Sequence, residues 1–368
     1  MSTRREFLTQ TAAATLLTSA APPLSSSSTA AQEPKAGAST PAKPAAPMQT
    51  YTIPHTDLVV SRLAYGCAMI GLDWTSQDAA ARTVSAVRTA HEQGITLFDT
   101  ADIYGHGKSE LALGEVLKGS PGLRHHLVIQ SKCGIGEAGS IDNSREHIAS
   151  AVEGSLGRLG TDRLDILLVH WPDNLVEPEE VAKAFDDLHR AGKVRYFGVS
   201  NHSRWQIELL QKHVRQPLVI NQIQLGLAHW YTEAGPSKGA ITHGDEGVAG
   251  LDYCRAHDIH VQAYSPLKGA NIGKPPNLLD VAPDAPPEVS KAAQALQEVA
   301  SNHAVSPAAV MLAWLLHHPA RIAPIIGATK TEHVIDNCAA DRIQLSRLEW
   351  YSLLRAVSQI ETQPQRGA

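Results

Sequence analysis

The chain lacks the features that mark several large protein classes. Its four cysteines, Cys67, Cys133, Cys254 and Cys338, stand far apart with no C-x-x-C pair. That argues against a disulfide framework, although an even count leaves one bridge open. Eighteen histidines include no His-x-x-x-His spacing, and the adjacent pairs His125-His126 and His317-His318 read as surface residues, since metal sites need convergent ligands. There is no acidic or basic block, and the net charge is only -5 over 368 residues. Nothing therefore points to nucleic acid, which calls for a clustered basic surface. The apolar run at 11–21 is too short to cross a bilayer, which needs roughly 20 residues. No G-x-G-x-x-G follows the first predicted strand, where a doubly wound dinucleotide-binding sheet would carry it.

With 43% hydrophobic and 19% charged residues, the composition suits a soluble globular protein of one large or two smaller domains. From residue 57 onward, short β-rich runs alternate with amphipathic stretches. Strands are predicted at 63–66, 97–99, 128–131, 166–170, 196–199, 219–222, 260–264 and 325–327. Eight strands, each followed by a helical or loop-plus-helix segment, predict a parallel sheet closed as a single-domain (β/α)8 barrel. The helical period is clear at Ile148, Val152, Leu156 and Leu159, and Asn201 to Ser203 offer caps for a helix running to about His213. Residues 51–59 suit a small hairpin closing the barrel floor.

Four polar residues follow such strands. They are Asp99 and Tyr104 in Phe98-Asp99-Thr100-Ala101-Asp102-Ile103-Tyr104-Gly105, Lys132 in Gln130-Ser131-Lys132-Cys133, and His170 in Leu168-Val169-His170-Trp171. The C-terminal end of barrel strands is where chemistry is done. A phenol near an ammonium is a proton donor with its pKa pulled down from about 10. Asp99 would keep Lys132 charged and aimed, and His170 would hydrogen-bond a developing oxyanion.

The spacing Asp-x4-Tyr, then Lys, then His, followed by Gly198-Val199-Ser200-Asn201, resembles the aldo-keto reductases over nearly the whole chain after residue 50. The resemblance implies a nicotinamide nucleotide and a small-molecule aldehyde or ketone. Tyr104 would be the general acid, assisted by Lys132, Asp99 and His170. It also implies that Ser200, Asn201 and Gln222 hold the nicotinamide carboxamide, with Tyr264 stacked under the ring. Ser265 and Leu267 would serve the pyrophosphate. Gly327, Thr329 and Lys330 would lead a helix whose N-terminus takes phosphate, and Asn337 would meet the adenine. At the place where NADP-preferring relatives carry Arg stands His333, which is mostly neutral at pH 7 and lacks the guanidinium fork. NADP is favoured on the resemblance, and NAD stays open. Trp74, Trp171 and Trp230 are candidates for an aromatic pocket wall, and inserts at 228–247 and 268–287 for mobile covers.

The front of the chain, Arg4-Arg5-Glu6-Phe7-Leu8 ahead of a mild apolar run and small residues, resembles a twin-arginine export signal. This divides the chain into a signal at 1–31, a flexible Ser/Ala/Pro-rich linker at 32–49, the barrel at 50–360 and a short tail at 361–368. It implies the twin-arginine machinery as a partner, no transmembrane anchor, and a periplasmic or other extracytoplasmic destination. Two other functional classes remain open: a nucleotide-sensing regulatory module of the same fold, and a sugar or polyol oxidoreductase with tightly held cofactor.

Overall fold

The computed structural model describes residues 47–71, 76–136, 139–229, 247–267 and 277–360. Outside these lie the expected signal at 1–31, most of the expected linker, Trp74, Trp230, the tail, and much of both inserts. Among the described residues there are ten strands and ten α-helices. The strands are β1 (Thr50–Thr52), β2 (Val59–Ser61), β3 (Ala64–Gly66), β4 (Leu97–Asp99), β5 (Val128–Cys133), β6 (Leu164–Val169), β7 (Val194–Ser200), β8 (Leu218–Gln224), β9 (His260–Tyr264) and β10 (Ala323–Ile326). The helices are α1 (Gln77–Glu92), α2 (Lys108–Lys118), α3 (Arg145–Leu159), α4 (Pro178–Arg190), α5 (Arg204–Gln211), α6 (Gly247–Ala256), α7 (Pro287–Asn302), α8 (Pro307–Leu316), α9 (Thr331–Cys338) and α10 (Arg347–Ser358). β3 to β10 form a closed barrel in sequence order, every pair parallel. All eight predicted barrel strands are present, with ends shifted by a few residues.

Period-two alternation assigns the two faces of each strand. Along β4 and β5, Leu97 and Val128 join the inner cluster, while Phe98, Ile129 and Cys133 pack outward against the helices. The same parity sends Asp99, Gln130 and Lys132 toward the barrel axis. On β6, Ile166 and Leu168 face inward and Leu167 and Val169 outward, which turns His170 inward as well.

β1 and β2 make the predicted antiparallel hairpin. Ile53, Leu58 and Val60 from it plug the floor against Ala64, Leu97, Ile166, Ile220 and Ile325. Tyr51 Oη hydrogen-bonds His260 Nε2 at 2.6 Å. Local signals fix the helix ends. Ser144 caps α3 and Gly160, at φ 64°, ends it in the left-handed region that glycine tolerates. Ser203 and Gln206 form a capping box on α5, as do Ser346 and Glu349 on α10. α8 and α10 are joined by the indoles of Trp314 and Trp350, stacked at 4.6 Å, each donating to the other's carbonyl. All four cysteines are buried. No single helix among the described residues is long and apolar enough to cross a membrane.

The glycines at 134, 136 and 139 have G-x-G-x-x-G spacing. This run follows the third barrel strand, and the chain there makes an isolated antiparallel bridge, Ile135 to Ile141, before α3 starts at Arg145. Gly134 has φ 106°, and a Cβ there would lie 2.0 Å from Asn143 Oδ1. These glycines serve a tight turn in the barrel rim.

Candidate active site

Barrel closure brings Asp99, Tyr104, Lys132 and His170 together at the C-terminal mouth. Lys132 is fully buried, and its Nζ donates to Asp99 Oδ2 (2.8 Å), Thr100 O (2.8 Å) and Tyr104 Oη (2.9 Å). All three ammonium hydrogens are thereby used. The Tyr104 ring also lies under that ammonium, 4.6 Å from Nζ to the ring centre, and meets the His170 ring edge-on at 5.7 Å. Tyr104 is placed by a loop whose turns run Tyr104 N to Ala101 O and Asp102 N to Lys132 O, so the phenol hangs from the ends of both strands.

The electrostatics differ in one respect from the sequence expectation. Burial pushes the Tyr104 phenol up from its ordinary value, and the Lys132 ammonium only partly pulls it back. Tyr104 is therefore a protonated phenol at neutral pH, ready to donate. For Lys132, burial favours loss of its proton, but Asp99 and Tyr104 outweigh it and the net shift is upward. His170 is held neutral, first by burial and then by the Lys132 charge. Its Nδ1 is buried with no hydrogen-bond partner among the described residues.

Of the residues expected at the nucleotide, Ser200, Asn201, Gln222 and Tyr264 converge on the same mouth. Ser200, Asn201 and Gln222 are buried at the mouth ends of β7 and β8. Asn201, at φ 60°, donates through Nδ2 to His170 O and Ser200 Oγ, and its Oδ1 accepts from Tyr264 Oη at 3.0 Å. Ser200 Oγ donates to Gln222 O. Ser265 has φ 51° and, like Leu267, is half-buried just past β9. Gly226 lets the next loop pass, since a Cβ there would lie 2.5 Å from Pro266 O. Gly327, Thr329, Lys330 and His333 are exposed around the start of α9, while Asn337 is buried on it. Trp171 is half-buried beside His170, its carbonyl accepting from Asn143 Nδ2. Among the described residues no cluster of metal-ligating side chains occurs.

A family model described as the aldo/keto reductase family matches residues 62–356. The chain belongs to that family. It is an oxidoreductase with the aldo/keto reductase barrel. A 6-dehydroglucose reductase of Agrobacterium fabrum is 35% identical over 305 residues, 80% of this chain and 94% of that protein. Among solved structures, an aldo-keto reductase from Klebsiella pneumoniae in complex with NADPH superposes with a TM-score of 0.63 at 28% identity, covering 84% of this chain and 93% of its own. The glycerol dehydrogenase AKR11B4 of Gluconobacter oxydans superposes with a TM-score of 0.70 at 25% identity, covering 86% and 97%.

The polar set fits a nicotinamide nucleotide. The donors of Ser200, Asn201 and Gln222 are spent within the fold, so these residues meet a carboxamide through acceptors such as Gln222 Oε1, to which the carboxamide's N–H groups can donate. Gln224 Nε2, two residues further along β8, is a buried donor without a partner among the described residues. Sequence reasoning missed two residues of the same region, Gln130, which is the register partner of Asp99 and bonds it, and Gln262, which bonds Gln130 and Gln222. Their signal was available: each is a polar residue at an inward-facing strand position.

Proposed function

We propose that this aldo/keto reductase reduces an aldehyde or ketone to the alcohol with NADPH, Tyr104 acting as general acid. The carrying observation is the continuous chain from Asp99 Oδ2 through Lys132 Nζ to Tyr104 Oη, with steps of 2.8 and 2.9 Å. When bound, the nucleotide supplies a hydride to the carbonyl carbon. Tyr104 gives its proton to the carbonyl oxygen, completing the alcohol. Lys132 steadies the phenolate left behind, and Asp99 keeps that ammonium charged and aimed. Neutral His170 orients the carbonyl oxygen beside Tyr104. Ser200, Asn201, Gln222 and Tyr264 hold the nicotinamide, and Ser265, Leu267, Gly327, Thr329, Lys330, His333 and Asn337 the remainder of the nucleotide. The NADPH in the Klebsiella relative supports the cofactor, while His333 leaves NAD as the alternative.

A second reading concerns the substrate. The Agrobacterium relative is named for a dehydroglucose and the Gluconobacter relative for glycerol. Together they favour a polyhydroxylated carbonyl over a purely aryl one. We also infer export through a twin-arginine signal at 1–31, on the order of motif, apolar run and small residues. The extracytoplasmic enzyme would then carry its nucleotide from the cytoplasm.

Titrating residues 48–368 with NADPH and NADH by tryptophan fluorescence tests the cofactor. Binding of neither would refute an enzyme of this kind. Tyr104→Phe should lose nearly all carbonyl reduction while keeping nucleotide affinity, and near-normal turnover would refute the assignment of the acid. Export of a reporter fused to residues 1–31 should stop with Arg4→Lys/Arg5→Lys.

A further inference from the structure

Barrel interiors are usually filled by branched aliphatic side chains, yet three glutamines occupy this one. Asp99 on β4 is the register partner of Gln130 on β5, and Gln222 on β8 is the register partner of Gln262 on β9. None of the four is more than 3% exposed. Gln130 Nε2 donates to Asp99 Oδ1 at 2.6 Å and to Gln262 Oε1 at 2.8 Å. Gln222 Nε2 donates to the same two oxygens, each at 2.9 Å. Gln262 Nε2 returns a bond to Gln130 Oε1 at 3.0 Å.

The network has one self-consistent orientation. A carboxylate only accepts, so both amides facing Asp99 must present nitrogen to it. Gln262 must then present its oxygen between them. Turning any amide over would set donor against donor inside a sealed barrel, where unpaired polar groups are costly. Asp99 Oδ1 is thereby held by two amides, which leaves Oδ2 facing Lys132. Deleting one amide frees the carboxylate to rotate away from Lys132, and with it the anchor of Tyr104.

We propose that Gln130, backed by Gln262, is a positioning residue for carbonyl reduction: it fixes the Asp99 carboxylate, and through it the seat of Lys132 against Tyr104. This rests on the role given to Tyr104 above. Asp99 acts to raise the pKa of both Lys132 and Tyr104. A loosened carboxylate should therefore let the set lose its proton at lower pH. The other ionisable groups around the set are Cys67 beyond β3, Asp102 on the Tyr104 loop, Glu110 on α2, His170 beyond β6 and Tyr264 on β9. None of them contacts Gln130 through a described hydrogen bond.

The test is Gln130→Met in the full barrel, assayed with NADPH and an activated aryl aldehyde across pH. Its kcat should fall roughly tenfold, the order expected for one lost bond to a charged group. NADPH affinity should be unchanged and the alkaline limb of kcat should move to lower pH. In an Asp99→Asn background, measured by single turnover, the same substitution should cost little more. A wild-type kcat and pH profile would overturn the proposal, as would a loss repeated undiminished in Asp99→Asn, which would mark mere packing. If Gln130→Met does not fold, Gln262→Met carries the same outcomes from behind, with a smaller loss expected. Normal turnover by Tyr104→Phe would instead sink the underlying reading, whatever the glutamine variants do.

Discussion

Replacing Lys132 by methionine tests the electrostatic account of the site most directly. The side chain is fully buried, and its ammonium satisfies Asp99, Thr100 O and Tyr104 within 2.9 Å. Methionine preserves much of the stem and deletes the charge. Asp99 is then a buried carboxylate held only by the two glutamine amides. Removing one partner of a buried pair costs about 3–5 kcal/mol. At about 2–4 °C per kcal/mol for a domain of this order of size, the melting temperature should drop by roughly 6–20 °C. The double variant Lys132→Met/Asp99→Asn removes the stranded charge yet keeps an oxygen for Gln130 and Gln222. It should therefore recover most of the lost stability. Turnover should not return, because Tyr104 still lacks its ammonium, a loss of about 10²–10⁴ for general acid catalysis. Thermal and guanidinium unfolding at pH 7, with NADPH consumption on an aldehyde, measure both quantities. A double variant no more stable than Lys132→Met would refute the stranded-charge argument, and a Lys132→Met enzyme turning over normally would refute the acid's dependence on it.

Three further outcomes follow from other groups. Burial, and then the Glu110 charge, push Asp102 up to about 6, so its contribution to stability is full below about pH 4 and lost as pH rises through 6. Asp102→Asn should raise stability at pH 7 by about 1–3 kcal/mol and leave it little changed at pH 4, read by thermal melts at both values. Burial lowers His202 to about 4 and, with Arg321 assisting, His260 to about 3. Both stay neutral in the fold while the unfolded chain takes up protons below about 6.5, so they cost stability as pH falls from 6.5 toward 4. His202→Asn should flatten part of that slope in a pH series of urea unfolding, whereas Asp102→Asn should steepen it. His333→Arg, at an exposed position on the first turn of α9, should shift preference toward NADPH over NADH by about tenfold through a guanidinium–phosphate pair. Unchanged fluorescence titrations would remove His333 from the nucleotide site.

Much of the fold was legible because its determinants are local. Continuous apolar runs such as Ile166–Val169, caps such as Ser144 and Ser203, and alternation along β5 act within a few residues, so a linear reading finds them. The four polar residues at strand ends could be named for the same reason, whereas Ser200, Asn201 and Gln222 were singled out only by the resemblance to the aldo-keto reductases. The pKa of Tyr104 was not legible: the charge on Lys132 could be anticipated from residue types, but the desolvation that outweighs it depends on how tightly the mouth is packed. The glutamine network was hidden too. Gln130 meets Asp99 across 31 positions, Gln222 meets Asp99 across 123 and Gln130 meets Gln262 across 132. The sequence by itself determined which residues turn inward and which chemistry they carry. Only the closing of eight strands into one barrel decided which of them touch, because contacts of that range exist only once the sheet has joined its two edges.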